Sequence, residues 1–279
     1  NKETLPSLSV ILICLVMFRG KLRLIPESKL AAGAMLVFIF VPVLTGLTNL
    51  DPVFFGQIGL PGMGIKDIVS LVLQQFLLVA PMLLARAFMT GEHDVKDLLI
   101  ALSVAGLIYS LPMLLEVRLS PQLNIWIYGY FQHHFEQMMR YGGFRPIVFL
   151  YHGLWVAFFA MTALASLAIL MRAERGPKKA MFFFAVAYMA VVLVLCKSIA
   201  SILYAMLLLP LILFIPFGLQ IRIAVLMAAL AIAYPTLKGA HLVPENAILQ
   251  QAERIDEDRA NSLRFRLENE NVLLDRALE

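Results

Sequence analysis

Long runs of apolar residues, broken only by short polar connections, constrain this chain more than any motif in it. Such runs occupy 5–18, 30–48, 67–90, 97–115, 148–171, 180–196, 199–218 and 222–237. A membrane crossing takes about 20 mainly apolar residues, and a dry hydrocarbon core forces each crossing segment to satisfy its own backbone hydrogen bonds as a helix. The pattern predicts an all-α fold, a polytopic transmembrane helical bundle of about eight spans. Hydrophobic residues make up 61% of the 279 and charged residues only 15%, which points away from the one or two soluble domains that length alone would suggest.

Basic residues then fix an expected orientation. Arg19, Lys21, Arg23 and Lys29 stand against Glu27 alone in one connection, and Arg172, Arg175, Lys178 and Lys179 against Glu174 alone in another. Positively charged connections stay on the cytoplasmic side. Four spans separate the two, an even number, so the assignments agree. By alternation 49–66, 116–147 and 238–279 face the opposite, periplasmic or exterior side, with short cytoplasmic turns at 91–96 and 219–221. A multi-pass membrane protein with its working face outward is the expected localisation.

Two domains are expected: a transmembrane bundle over 1–237 that includes the outer loop 116–147, and an outer-face segment over 238–279. In the second, Ile255, Leu263, Leu267, Leu274 and Leu278 recur at helical spacing among charges, the pattern of an amphipathic helix or helix pair. Residues 49–66, rich in Pro, Gly and Phe, read as an interfacial turn or re-entrant loop. The start at NKETLPSLSV and the end at DRALE within a helical pattern read as cuts in a longer protein that continues into further spans. Cys14 and Cys196 have no paired spacing and read as packing residues.

The stretch 115–153 gathers Arg118, Arg140, Arg145, His133, His134, His152, Glu116 and Glu136 between apolar runs. Arg140 and Arg145 bracket YGGF, whose Gly142 and Gly143 allow a tight turn. Guanidinium suits phosphate because its planar fork donates paired hydrogen bonds and stays charged. With Arg118 and Lys197, in the turn CKS, these residues suggest a cationic cup for a pyrophosphate. His152 and Glu116 are the candidate catalytic bases; Glu116 would equally serve to anchor Arg118 or the helix end. Glu136 is four residues before Arg140, the spacing of a helical ion pair. His133 and His134 lie among Trp126, Tyr128, Tyr130 and Phe131, a composition typical of an interfacial aromatic belt. In the tail, Arg259 and Arg266 share a helical stripe with Ser262 that would face lipid-linked phosphate if the helix rests on a bilayer. Arg86 reads as a snorkelling residue.

No phosphate-binding loop, HExxH, Cys/His cluster or Gly-x-Ser-x-Gly is present. Neither a metal nor another cofactor is expected, and no nucleic acid partner.

The elements RLSPQL at 118–123, YGYF at 128–131, RYGGFRP at 140–146, YHGL at 151–154, KSIAS at 197–201 and DRANSLRFRLENENVLLDRAL at 258–278 together resemble the O-antigen ligase and polymerase superfamily of bacterial membrane glycosyltransferases. The resemblance is greatest to its branch of exopolysaccharide polymerases. It implies a C-type glycosyltransferase fold, an undecaprenyl-pyrophosphate-linked glycan donor, and a lipid-linked or lipid A core glycan acceptor. It also implies metal-independent transfer, with a chain-length regulator or export component as a partner. Arg140, Arg145 and Arg266 correspond to the family's phosphate-binding arginines, and His152 to the base of its ligase branch. The rival expectation is a transporter or flippase-like permease for an amphipathic or anionic solute, whose marks would be charges buried mid-span and inverted repeats.

Overall fold

The computed structural model describes residues 4–17, 26–55, 58–89, 91–240, 242–254 and 257–278. Arg19, Lys21 and Arg23 of the first basic connection lie outside the described residues, as does the side chain of Arg259. The chain forms two compact units, residues 1–112 and 113–279.

In the first unit α1 (Thr4–Met17), α2 (Lys29–Thr48), α3 (Ile65–Phe88) and the larger part of α4 (Glu92–Leu119) follow one another, with a hairpin of β1 (Val53–Phe55) and β2 (Ile58–Leu60) between α2 and α3. Ser28 caps α2, its hydroxyl accepting from Ala31 N at 3.4 Å. Aspartates open the next two helices: Gly64 N donates to Asp67 Oδ2 at 2.9 Å and Gly91 N to Asp94 Oδ2 at 2.8 Å, each placing negative charge at a helix N-terminus. Ile39 of α2 meets Val79 and Leu83 of α3, with Met35, Val72 and Phe76 around them. Gly46 permits the approach, because a Cβ there would stand 2.2 Å from Ile68 Cγ1. The expected turn at 49–66 contains the β1–β2 antiparallel hairpin, Val53 opposite Leu60. Two three-residue strands are too short to announce themselves by alternation.

The second unit holds the end of α4, α5 (Leu123–Tyr128), a 3-10 turn at Phe135–Met138, a hairpin of β3 (Met139–Arg140) and β4 (Gly143–Phe144), then α6 (Gly153–Ala173), α7 (Lys178–Leu195), α8 (Ile199–Phe214), α9 (Phe217–Gly239), α10 (Glu245–Glu253) and α11 (Glu257–Leu278). At its centre is α6, packed against α7 and α8. Ala157, Ala160, Ala163 and Ala168 are wholly buried, and small side chains of this kind let helix backbones come close where lipid supplies no hydrophobic drive.

Among the described residues six helices, α2, α3, α4, α6, α7 and α9, are long and apolar enough to cross a membrane, so the chain is an all-α, multi-span membrane protein. The remaining two of the eight expected spans are shorter helices. As described, α1 has 14 residues and α8 has 16, about 21 and 24 Å at about 1.5 Å per residue. Pro216 explains α8: the residue before a proline is driven out of the helical region, and Ile215 is extended at ψ 136°. The connection expected at 219–221 therefore falls at 215–216, and α9 starts at Phe217 rather than 222. Arg172 and Gln220 close the freed end of α8. Arg172 Nη1 donates to the carbonyls of Ile212 and Ile215, and Gln220 Nε2 to those of Leu211 at 2.8 Å and Ile215 at 2.9 Å.

The tail is a helix pair, α10 against α11. Lys238 at the end of α9, only 3% exposed, bridges Glu245 of α10 at 3.1 Å and Glu270 of α11 at 2.9 Å. Tyr234 Oη donates to Glu270 at 3.0 Å and Asn271 Nδ2 to Glu245 at 3.1 Å. Replacing Lys238 with Ala leaves two carboxylates without their cation and removes about 1–3 kcal/mol. Limited trypsin digestion of the full chain is expected to cut within 245–278 markedly faster in Lys238→Ala than in the parent.

Candidate functional site

The loop between α4 and α6 carries the charge that the sequence singles out, and its backbone determines where that charge goes. Tyr141 at φ 50° and Gly142 at φ 66° form a two-residue turn with both central residues left-handed, the turn that best fits strand twist in a tight hairpin. Arg140 pairs with Gly143 across it. Arg145 N then donates to Met138 O at 2.8 Å, which turns the Arg145 side chain inward.

Arg145 is the buried member of the cluster, 6% exposed, and its Nε has no hydrogen-bond partner. Its methylenes cross Gly153 at the start of α6, where a Cβ would stand 2.5 Å from Cδ and 2.8 Å from Cγ. The charge reaches towards buried Cys196 at the end of α7, whose thiol burial pushes up to about 12 while Arg145 pulls it partly back. Burial, and then the like charge of Arg140, press the Arg145 pKa downward, although a guanidinium stays cationic at any working pH.

Lys197, left-handed at φ 52° in the α7–α8 turn, donates from Nζ to Arg140 O at 2.9 Å. The ammonium lies over Gly143, where a Cβ would approach it to 2.2 Å. Two glycines thus make room for two cations. Among the described residues no carboxylate forms an ion pair with Arg140, Arg145 or Lys197.

His152 caps α6: its Nδ1 accepts from Leu154 N at 3.0 Å. His133 lies edge-on to it, ring centroids 4.6 Å apart, and His133 Nδ1 accepts from His134 N at 2.8 Å. A neutral imidazole whose Nδ1 accepts carries its proton on Nε2. Both rings are therefore Nε2–H donors, which is the opposite of a resting base and suits an anion. Burial first, then His133, Arg145 and Arg140, lower the His152 pKa and so favour its neutral form.

Glu116, fully buried at the end of α4, accepts from Leu123 N at 3.1 Å, Ile147 N at 2.9 Å and Val148 N at 2.7 Å. The carboxylate is engaged with backbone, so its geometry is that of an anchor for the loop rather than a base or a partner of Arg118. Arg118 is exposed, and among the described residues no hydrogen bond or ion pair joins it or Arg266 to the cluster. The Glu136–Arg140 helical pair expected from spacing does not form: residues 135–138 are a 3-10 turn, and Arg140 is in β3.

No family model, curated protein or solved structure matches this chain.

Of the expected residues, then, Arg140, Arg145, Lys197 and His152 come together. His133, which in sequence has the setting of an aromatic belt, joins them through its ring contact with His152, made across a loop whose path the sequence does not specify. Gly153 carried no signal at all, since its role depends on where Arg145 passes.

Two outcomes check this geometry. Gly153→Ala pushes against the Arg145 side chain and is expected to lower stability by about 1–3 kcal/mol, the usual cost of overpacking, and to weaken inorganic pyrophosphate binding by the full chain in calorimetry. The folded protein lowers the His152 pKa from 6.5, so the stability contributed by its neutral form is complete above that value and is lost as pH falls below it, through the lowered pKa. Thermal melts from about pH 7.5 to about 5 are expected to show the parent losing ground to His152→Asn, whose amide oxygen keeps the Leu154 bond without titrating.

Proposed function

We propose that this protein is a membrane glycosyltransferase that transfers or polymerises undecaprenyl-pyrophosphate-linked glycan units on the outer side of the membrane. The observation that carries the reading is the gathering of Arg140, Arg145 and Lys197 without a carboxylate partner among the described residues, beside two imidazoles that present Nε2–H. Such a set has donors and positive charge in excess of anything protein offers it, which is what a departing pyrophosphate needs. The resemblance in RYGGFRP, YHGL and KSIAS supplies the class of donor.

In this reading the acceptor hydroxyl attacks the anomeric carbon from the face opposite the phosphate. A glycosidic C–O bond forms and the bond from the anomeric carbon to the phosphate oxygen breaks. The electron pair leaves on the lipid pyrophosphate, and the acceptor proton passes to solvent. Arg145 and Arg140 neutralise the charge that grows on the leaving group, Lys197 adds a donor from the α7–α8 turn, and the imidazoles donate Nε2–H to phosphate oxygens. Electrostatic stabilisation of the leaving group is the larger contribution, and the rate rests on it.

The test is incubation of the full-length protein in sealed proteoliposomes with a lipid-pyrophosphate oligosaccharide, separating products by chain length and assaying on which leaflet the donor lies. Growth of the glycan marks a polymerase; transfer to lipid A core marks a ligase. Arg145→Gln and Arg140→Gln are expected to reduce turnover by about 10²–10³, the usual loss when one oxyanion donor is removed, while Arg118→Gln stays close to the parent. Passage of the intact donor across the bilayer with no bond broken would replace this reading with the permease.

A further inference from the structure

Val148 follows the cation cluster in an unusual backbone state. Its φ is +50°, in the left-handed region that a β-branched residue resists. Strain of this kind persists only where the surroundings over-determine it, and here they act on both sides of the residue. Glu116 Oε2 accepts from Ile147 N at 2.9 Å and from Val148 N at 2.7 Å. Gln132 Nε2 donates to Val148 O at 2.9 Å and Leu150 O at 3.0 Å. The other Glu116 oxygen accepts from Leu123 N at 3.1 Å, which ties the same carboxylate to the first turn of α5.

The held segment lies between the residues of the site. Arg145 comes two positions before Ile147, and its side chain passes over Gly153. His152 comes four positions after Val148 and caps α6. A change in the 147–148 backbone therefore moves the Arg145 side chain against Gly153 on one side and the imidazole on the other. We propose that Glu116 is the positioning residue of the anion site: by gripping Ile147 and Val148 it holds the backbone in the left-handed form that sets where Arg145 and His152 stand. The functional consequence rests on the pyrophosphate reading above; the structural consequence does not.

The chemistry of the grip calls for a carboxylate. Three N–H groups converge on one side chain, and two ionised oxygens offer lone pairs to all of them without a hydrogen of their own. Glutamine has one such oxygen, and its amide hydrogens would face an N–H. Glu116→Gln thus loses either the Leu123 bond or the Ile147 and Val148 pair.

The experiment uses the full chain in detergent, labelled with the arginine reagent phenylglyoxal and read peptide by peptide, with exposed Arg140 as the internal reference for buried Arg145. In Glu116→Gln the ratio of Arg145 to Arg140 labelling is expected to rise at least about five-fold, as local opening exposes the guanidinium. Affinity for inorganic pyrophosphate is expected to fall on the order of ten-fold, as when the supporting partners of a site are removed. Leu167→Ala, a core change in α6, serves as the comparison at matched loss of melting temperature and is expected to leave the ratio unchanged. The double variant Glu116→Gln, Val148→Gly restores the ratio towards the parent, because glycine adopts φ +50° without strain, and it serves if the single variant does not fold. A parental ratio and parental affinity in Glu116→Gln overturn the proposal, as does an equal rise in Leu167→Ala or no recovery in the double variant. If the parent does not bind pyrophosphate while the ratio still rises in Glu116→Gln, the positioning role stands and the pyrophosphate reading falls.

Discussion

Irregular backbone next to a membrane is costly because nothing in the hydrocarbon accepts its hydrogen bonds, and this chain meets that constraint with one buried carboxylate. The loop between α4 and α6 is neither helix nor extended sheet over most of its length, so its N–H groups need acceptors from elsewhere. Three of them end on Glu116. Asn124 Nδ2 to Tyr130 O at 2.6 Å and the two bonds of Gln132 do the same service for carbonyls. Once these are made, the path of the loop is fixed, and the β3–β4 hairpin, the inward course of Arg145 and the cap on α6 follow from it.

The cluster so assembled repels itself. Burial first, and then Arg140, lower the pKa of Arg145; burial first, and then His133, Arg145 and Arg140, lower that of His152, so a further positive charge there is disfavoured both by lost hydration and by its neighbours. The scaffold withstands this with hydrogen bonds to backbone, such as Lys197 to the Arg140 carbonyl, rather than with carboxylates. A site built this way stays open to an external anion, whereas one neutralised by Asp or Glu would have to give up its partner first.

Much of the helical frame could be read directly, because apolar runs of span length permit few other structures. The tail also followed its periodicity and is a helix pair. Boundaries failed where a local rule overrode the run: Pro216 cut α8 short of the expected 218, and the cap at His152 with left-handed Val148 delayed α6 from 148 to Gly153. In the site, Arg140 and Arg145 were legible as a pair flanking a double glycine, a purely local pattern. The burial of Arg145, the His133–His152 contact and the three amides on Glu116 were not, since each joins residues through a fold whose path the sequence does not spell out. Glu116 is the sharpest case: a carboxylate at a helix end looks the same in sequence whether it takes a proton or holds a loop.

The shortness of α8 bears on the surroundings of Lys197. As a span, α8 at about 24 Å would fall short of the roughly 30 Å of a typical hydrocarbon layer, a mismatch that membranes meet by thinning of the bilayer, by snorkelling of flanking residues or by oligomerisation. Arg172 and Gln220 already satisfy its last carbonyls from within the protein, so that end has little need of headgroups or water. The opposite end carries Lys197. A dimple in the membrane at this helix would bring polar headgroups down to the level of that ammonium while apolar chains still flank it, in surroundings less polar than bulk water. Attraction between fixed charges grows as the local dielectric falls, so under the proposed function the length of this helix would help to set how strongly the neighbouring cations attract an anion.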